Sequence, residues 1–325
     1  MEADSARSTI YRIMGARPTR RVATAESRAI HRRPDGIQPL EAERLADPYP
    51  VAKLQGGQVL VLSVSGRFDL AREIGERLVA FGHRSGHSRA MALGHYGLAF
   101  THLLALDFER AAQIAQAGIA AARDKLFVSM NGIVLALSQV AQGRFDEARV
   151  VCAEWMPYLS DGGNLWQGAH LKQVQACADL ALGDLSNALR RLLAGCSEAH
   201  AQGMTATGGL LDTCLLMAYA SVARLDVKPS ASALMRNPWF VFTQAPLARR
   251  RAHALIAHMS RGAEDIGYTG LLALVDLTQG RLLTHAGRKA EAREALDRLR
   301  ERLRRGGADP SPEPVVALAA EIDRL

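Results

Sequence analysis

The residues of this chain able to do chemistry are a few histidines, four cysteines and some isolated aromatic side chains. Their spacing decides what chemistry is open to them. His83 and His87 stand four apart, which on a helix puts both rings on one face, as a pair of metal ligands requires. Gly82 and Gly86 interleave them and no carboxylate sits close by in sequence, so a solvated turn is the expectation. His253 and His258 are five apart, poor spacing for one helical face. Cys152, Cys177, Cys196 and Cys214 form no Cys-x-x-Cys pair. They fall in predicted helices, where they read as small buried hydrophobes in a reducing compartment. The chain has no Gly-x-x-x-x-Gly-Lys-Ser/Thr phosphate loop, no His-Glu-x-x-His, and no Gly-x-Gly-x-x-Gly after a credible strand. No paired acid–base set is visible. The expectation is a protein with no catalytic residues, no metal and no cofactor.

The remaining candidates depend on the elements that carry them. One repeated corner organises those elements. Residues 141–155 read Ala-Gln-Gly-Arg-Phe-Asp-Glu-Ala-Arg-Val-Val-Cys-Ala-Glu-Trp: a helix end, a glycine turn and a new helix. Gly143 suits the left-handed position just past a helix C-terminus. Asp146 and Glu147 put negative charge at the start of the next helix, where the dipole favours it. The phrase recurs with its Phe, Leu or Lys at 68, 108, 145, 185 and 289. An alanine follows three residues later in every copy: Ala71, Ala111, Ala148, Ala188 and Ala292. A glycine precedes by two in four of the five, and Leu106 is the exception. The first four copies are 40, 37 and 40 residues apart, a period that marks stacked helix pairs.

Three regions follow. Residues 1–47 are rich in arginine and poor in large apolar residues, without a sustained amphipathic period, and read as a mobile tail. Residues 48–305 read as the helical array: pairs at 51–65 and 71–81, 87–106 and 108–123, 126–142 and 145–159, 165–182 and 185–202, a helix from Gly208 to about Leu225, one at 249–261, and a last pair at 268–285 and 289–305. Pro157 is expected to end the sixth helix. The fifth corner is degenerate: Leu225-Asp-Val-Lys-Pro229, with Pro238, Pro246, Trp239, Phe240 and Phe242 beyond it, predicts irregular or short-helical structure over 226–246. Residues 306–325 are a Pro-rich linker and a short capping helix.

Composition agrees. At 48% hydrophobic the chain can bury a sizeable core, and with only 5% aromatic residues that core must come from close helix–helix contact. The formal charge of +7 is spread along the chain, apart from Arg249-Arg250-Arg251 and the run from Arg298 to Arg305. A basic balance of that size is weak ground for nucleic acid. There is neither a signal-peptide pattern nor an apolar run of about 18 residues, so a cytoplasmic protein is expected.

The glycine, aromatic and alanine of Gly143-Arg-Phe-Asp-Glu-Ala148 resemble the tetratricopeptide repeat, with a period longer than its usual ~34 residues. The run from Gly66 through Asp124-Lys-Leu-Phe127 to Arg149, and the stretch from Ile266 to Leu299, look like the C-terminal arrays of large bacterial signalling proteins. In those, a class III adenylate/guanylate cyclase domain or an AAA-type ATPase domain precedes the helices. The resemblance covers about residues 50–305 and implies an all-α, right-handed superhelix of helix hairpins. It also implies a non-catalytic scaffold or sensor in bacterial signalling, with a protein or peptide partner in the concave groove, such as a cyclase or ATPase protein. On that geometry Tyr96, beside His95, Phe100 and His102, and His170 with Gln173 fall on first helices, where His170 and Gln173 face the groove and inter-pair packing is the simpler account of Tyr96 and Phe100; Trp239 offers an exposed aromatic anchor. These four, Tyr96, His170, Gln173 and Trp239, are the expected partner contacts. A small-molecule effector held in the superhelix, and nucleic-acid binding through the arginine clusters, are the alternatives.

Overall fold

A computed structural model describes residues 49–161, 172–179, 182–201, 205–224, 235, 237–266 and 268–325. The N-terminal tail of the sequence reading lies outside them. The protein is all-helical, with no strand among the described residues. The helices are α1 (Tyr49–Val64), α2 (Phe68–Ser85), α3 (Ser88–Leu104), α4 (Phe108–Ala121), α5 (Lys125–Ala141) and α6 (Phe145–Asp161). A helical segment at 172–179 follows. Then come α7 (Leu185–Ala201), α8 (Thr205–Arg224), α9 (Ala248–Ile266), α10 (Leu272–His285), α11 (Lys289–Arg305) and α12 (Glu313–Asp323). The second helix continues through the Gly82–Ser85 stretch and stops at Gly86, which is left-handed. The sixth runs past Pro157 to Asp161 instead of ending there.

Every corner of the repeat is built the same way. Gly66, Gly143, Gly183 and Gly287 have φ of 73°, 77°, 102° and 71°. In each, the amide one residue further on donates back to a carbonyl of the preceding helix: Arg67 to Leu62, Arg144 to Gln139, Asp184 to Asp179 and Arg288 to Leu283. This bond uses a helix-end carbonyl that would otherwise have no partner. Leu106 takes the same conformation at φ 66°, and Asp107 N–H donates to the His102 carbonyl. It is the one non-glycine with positive φ among the described residues. Asp107 then caps α4 by accepting from Arg110 N–H, as Asp124 caps α5 by accepting from Phe127 N–H.

The repeat alanines explain the closeness of the pairs. Ala71, Ala111, Ala148, Ala188 and Ala292 are all fully buried. A methyl group at these sites lets two backbones approach, and a larger side chain would hold them apart. Consecutive first helices also meet: α1 packs on α3, and α3 on α5. Ile133, Ala136, Ala148 and Cys152 of the third pair join Val174 and Ala178 of the next in one cluster.

The first hairpin also touches the last. Asp69 N–H donates to the Gly306 carbonyl at 3.0 Å, and Arg72 donates to the Gly307 carbonyl at 2.5 Å. Gly270 sits so close to the backbone of Ser63 and Val64 that no side chain fits between them. One continuous apolar core accordingly runs from Val64 and Phe68 to Val315 and Leu318. The stack is closed on itself, which the repeat period did not foretell.

Candidate functional site

The packed helices leave a hollow that is partly open to solvent. A cavity of about 310 Å³ lies where α3, α5, segment 172–179, α8 and α10 converge. Its wall is mostly apolar, with Leu103, Phe108, Leu137, Phe145, Met217 and Leu274 among the residues forming it. The polar contributors are few: Gln173, Thr213, Ser221 and Arg281. Two of these already serve the fold. The Gln173 side-chain amide donates to the Leu210 carbonyl at 3.0 Å, and the Thr213 hydroxyl donates to the Gly209 carbonyl at 2.8 Å. Arg281 is the one charged residue among the described residues of the lining. It stands seven residues after Leu274 on α10, a spacing that returns a helix to the same face.

The cysteines gather around this centre. All four are buried, and none is in a disulfide. Cys177 and Cys214 both line the cavity, one from segment 172–179 and one from α8. Their thiols share a hydrogen bond, and that bond together with burial pushes the Cys177 thiol well above its ordinary range. Burial pushes the Cys152 thiol up to about 12. Cys152 and Cys177, kept protonated in this way, are poor nucleophiles and serve as packing groups.

The structure separates the four expected contact residues. Gln173 reaches the central cavity. Tyr96 is buried in the core, its ring stacked near Phe100 with centroids 6.3 Å apart, and burial raises its phenol out of the ordinary range. It presents no surface, because α3 is covered on several sides by α1, α2, α4 and α5. Trp239 is 37% exposed and stands away from the cavity, with the Arg190 guanidinium 5.6 Å from its ring centre. His170 lies outside the described residues. The histidine pair resolves into structural roles: His87 caps α3 through Nδ1 and stacks on Tyr49, while His83 is exposed. Of the groups beside Tyr96, His95 is held below the ordinary histidine range by burial and then by His83. His102 Nδ1 lies 3.1 Å from Asp107 Oδ2.

A second cleft, about 540 Å³, opens between the corners of the first three pairs and the 308–314 strap. Of its charged groups, His102 pairs with Asp107, Arg72 donates to the Gly307 carbonyl and Asp309 accepts from Ser311 N–H, while Glu109 and Glu313 add further negative charge to the wall. The central cavity is therefore the better candidate, being walled by apolar side chains with one charge.

Two buried carboxylates escaped the sequence reading. Asp212 lies 2.9 Å from His200 Nε2, with Cys196 also hydrogen-bonded to it. Asp276 receives Arg302 Nε at 3.0 Å and lies 3.5 Å from Arg298 Nε. The signal was present in both cases: each aspartate interrupts an apolar helical run, Leu210-Leu-Asp-Thr-Cys214 and Leu274-Val-Asp-Leu277. A carboxylate in such a run must find a partner.

Among the described residues no group of three His, Cys, Asp or Glu is placed to hold a metal ion, and no helix is long and apolar enough to cross a membrane. No protein-family model matches the chain, and no characterised protein matches it significantly.

Proposed function

We propose that the chain is a non-catalytic sensing array of the tetratricopeptide type, a right-handed superhelix of helix hairpins that holds a small-molecule effector at its centre. Its setting on this reading is cytoplasmic signalling in a bacterium. One observation carries the reading: the first helices converge on a cavity of about 310 Å³. Small-molecule sites run from about 300 to 1,000 Å³, and this one is walled mainly by apolar side chains. The resemblance to arrays that accompany cyclase and ATPase domains supports the same role, by analogy of fold.

A ligand that binds only the folded state raises the melting temperature. Thermal-shift screening of a metabolite collection should therefore find compounds that stabilise the wild type. The same compounds should leave Ala218→Phe, which fills the cavity wall, unshifted. The reading is lost if no compound acts, or if wild type and the filled variant respond alike.

A second reading, a protein-docking scaffold, draws on a different feature. Met235, Phe242 and Leu247 are 77%, 80% and 41% exposed, close in sequence to Trp239. Exposed apolar side chains grouped this way suit a partner surface. Co-purification with a cyclase or ATPase protein, lost in Trp239→Ala/Phe242→Ser and kept in Ala218→Phe, would favour it. The arginine run of α11 offers less to nucleic acid, since Arg298 and Arg302 face Asp276 while Arg304 and Arg305 face Glu301.

A further inference from the structure

We infer that the outward face of the helical run from Pro238 into α9 docks on an anionic lipid bilayer. Trp239, Phe242 and Leu247 enter the headgroup layer, and Arg190, Arg249 and Arg250 meet its phosphates. The inference is independent of the cavity. It assigns to lipid the apolar surface that the scaffold reading gives to a protein.

The run has two apolar faces, and the fold uses one of them. Phe240, Gln244, Ala248 and Ala252, each four residues after the last, are buried and seat the run on the core. Trp239, Phe242 and Leu247 fall between them and face outward, Phe242 at 80% exposure. Arg251 is turned inward, donating to the Tyr219 hydroxyl and to Gln244 Oε1. Arg249 and Arg250 beside it are exposed and enter no hydrogen bond or ion pair among the described residues.

Charge sets the sign of the partner. Residues 227–263 carry Lys228, Arg236, Arg249, Arg250, Arg251 and Arg261 and no aspartate or glutamate, in a chain with 33 acidic residues. From α7, Arg190 holds its guanidinium 5.6 Å from the Trp239 ring centre. It also donates to the Ser186 carbonyl and to Asn187, so its part at this margin is chiefly its charge. Asn237 joins the run to the corner before α7, accepting from Ser186 N–H and donating to the Gly183 carbonyl. Asp184 of that corner brings one carboxylate to the margin, where it accepts from Asn187. The exposed arginines outnumber it, and the surface is positive.

Apolar depth favours lipid over an acidic protein. Met235 and Phe242 stand clear of the surface, and neither cavity includes any residue of this face. Protruding aromatic and aliphatic side chains need no matching pocket to enter a headgroup layer, and tryptophan settles at that depth. Arginines at the end of the row then meet lipid phosphate and stop the insertion there.

The test is flotation of the full chain with vesicles of phosphatidylcholine alone and of phosphatidylcholine mixed with phosphatidylglycerol. The mixed vesicles should bind about tenfold or more tighter, because each basic residue near an anionic surface contributes about fivefold. Arg249→Gln/Arg250→Gln should therefore lose about 25-fold. Trp239→Ala/Phe242→Ser should lose about tenfold through missing apolar burial. Should that variant not fold, Phe242→Ser alone decides, with a loss of about threefold or more. Arg304→Gln/Arg305→Gln removes the same charge from α11 and should change little. Glycerol 3-phosphate at the same phosphate concentration should not displace the protein.

Equal binding to both vesicles, or to neither, overturns the proposal. An equal loss in the α11 variant reduces the effect to net charge and overturns the assigned face, as does undiminished binding without Phe242. Displacement by glycerol 3-phosphate assigns the arginines to a free phosphate and overturns the bilayer. Retention on poly-glutamate that depends on Arg249, Arg250 and Phe242, with no flotation, gives the face to an acidic protein instead. None of these results bears on the metabolite screen, so the cavity reading stands or falls separately.

Discussion

The Thr269 hydroxyl donates to the Ser65 carbonyl at 2.8 Å across 204 residues of chain. That bond joins the corner of the first hairpin to the entry of the last. Its neighbours reinforce it: Gly270 lies flat against the Ser63 and Val64 carbonyls, and Gly306 against Gly66 and Phe68. An open stack of hairpins has frayed ends with no long-range contact. Here the two ends cover each other, so their stability is coupled.

Gly270→Ala tests that coupling. Its new methyl group would run into backbone carbonyls of Ser63 and Val64, which cannot swing aside as a side chain would. The expected cost is about 1–3 kcal/mol, the usual range for overpacking. Hydrogen exchange should quicken in α1 and in α10 together. Faster exchange in α10 with α1 untouched would mean the two ends are energetically independent.

Leu106 offers a comparison with Gly143. Both are left-handed, yet Leu106 is fully buried while a side chain added at Gly143 meets nothing within 4 Å. Gly143→Leu should cost the backbone strain alone, roughly 1–2 kcal/mol. Leu106→Gly relieves that strain but empties a core site whose truncation costs about 2–5 kcal/mol, so the net should still be destabilising. Urea unfolding reads both. A Leu106→Gly protein more stable than wild type would show that strain outweighs packing at this corner.

Ala148 lies fully buried between α5, α6 and segment 172–179, beside Ile133, Cys152 and Val174. Ala148→Leu should lower stability by about 1–3 kcal/mol through overpacking. A melting curve identical to that of wild type would remove the physical reason for the repeat alanine.

Asp276 makes stability depend on pH. Burial raises its carboxyl above the ordinary value of 3.8, and Arg302 and Arg298 only partly offset that. The folded state therefore holds this proton more tightly than the unfolded chain does. Its contribution is complete below the ordinary aspartate value and is lost as pH rises through the raised folded one. Asp276→Asn cannot titrate. The melting temperature of wild type relative to Asp276→Asn should accordingly fall as pH climbs across that window. A difference that stays constant, or grows in favour of wild type, contradicts the sign.

Much of the local structure was written in the chain itself. The left-handed glycines 66, 143, 183 and 287, the helices after them and the buried alanines follow from rules acting over a few residues: which residue tolerates positive φ, which charge suits a helix start, which side chain is small enough to pack. Leu106 marks where those rules stop, because its conformation is imposed by the core around it and not by its own preference. The candidate site was less legible. Gln173 was singled out, but Tyr96 was expected to touch a partner and lies in the core, since periodicity says which helix a residue is on and not how many neighbours cover that helix. Arg281, Cys177 and Cys214 carry no local signal, being brought together from separate elements only when the stack closes. That contact between the first hairpin and the last depends on how all the intervening helices pack, which no single repeat encodes. Tertiary structure alone therefore brought the first and last hairpins into contact and gathered a cavity lining from helices distant in sequence.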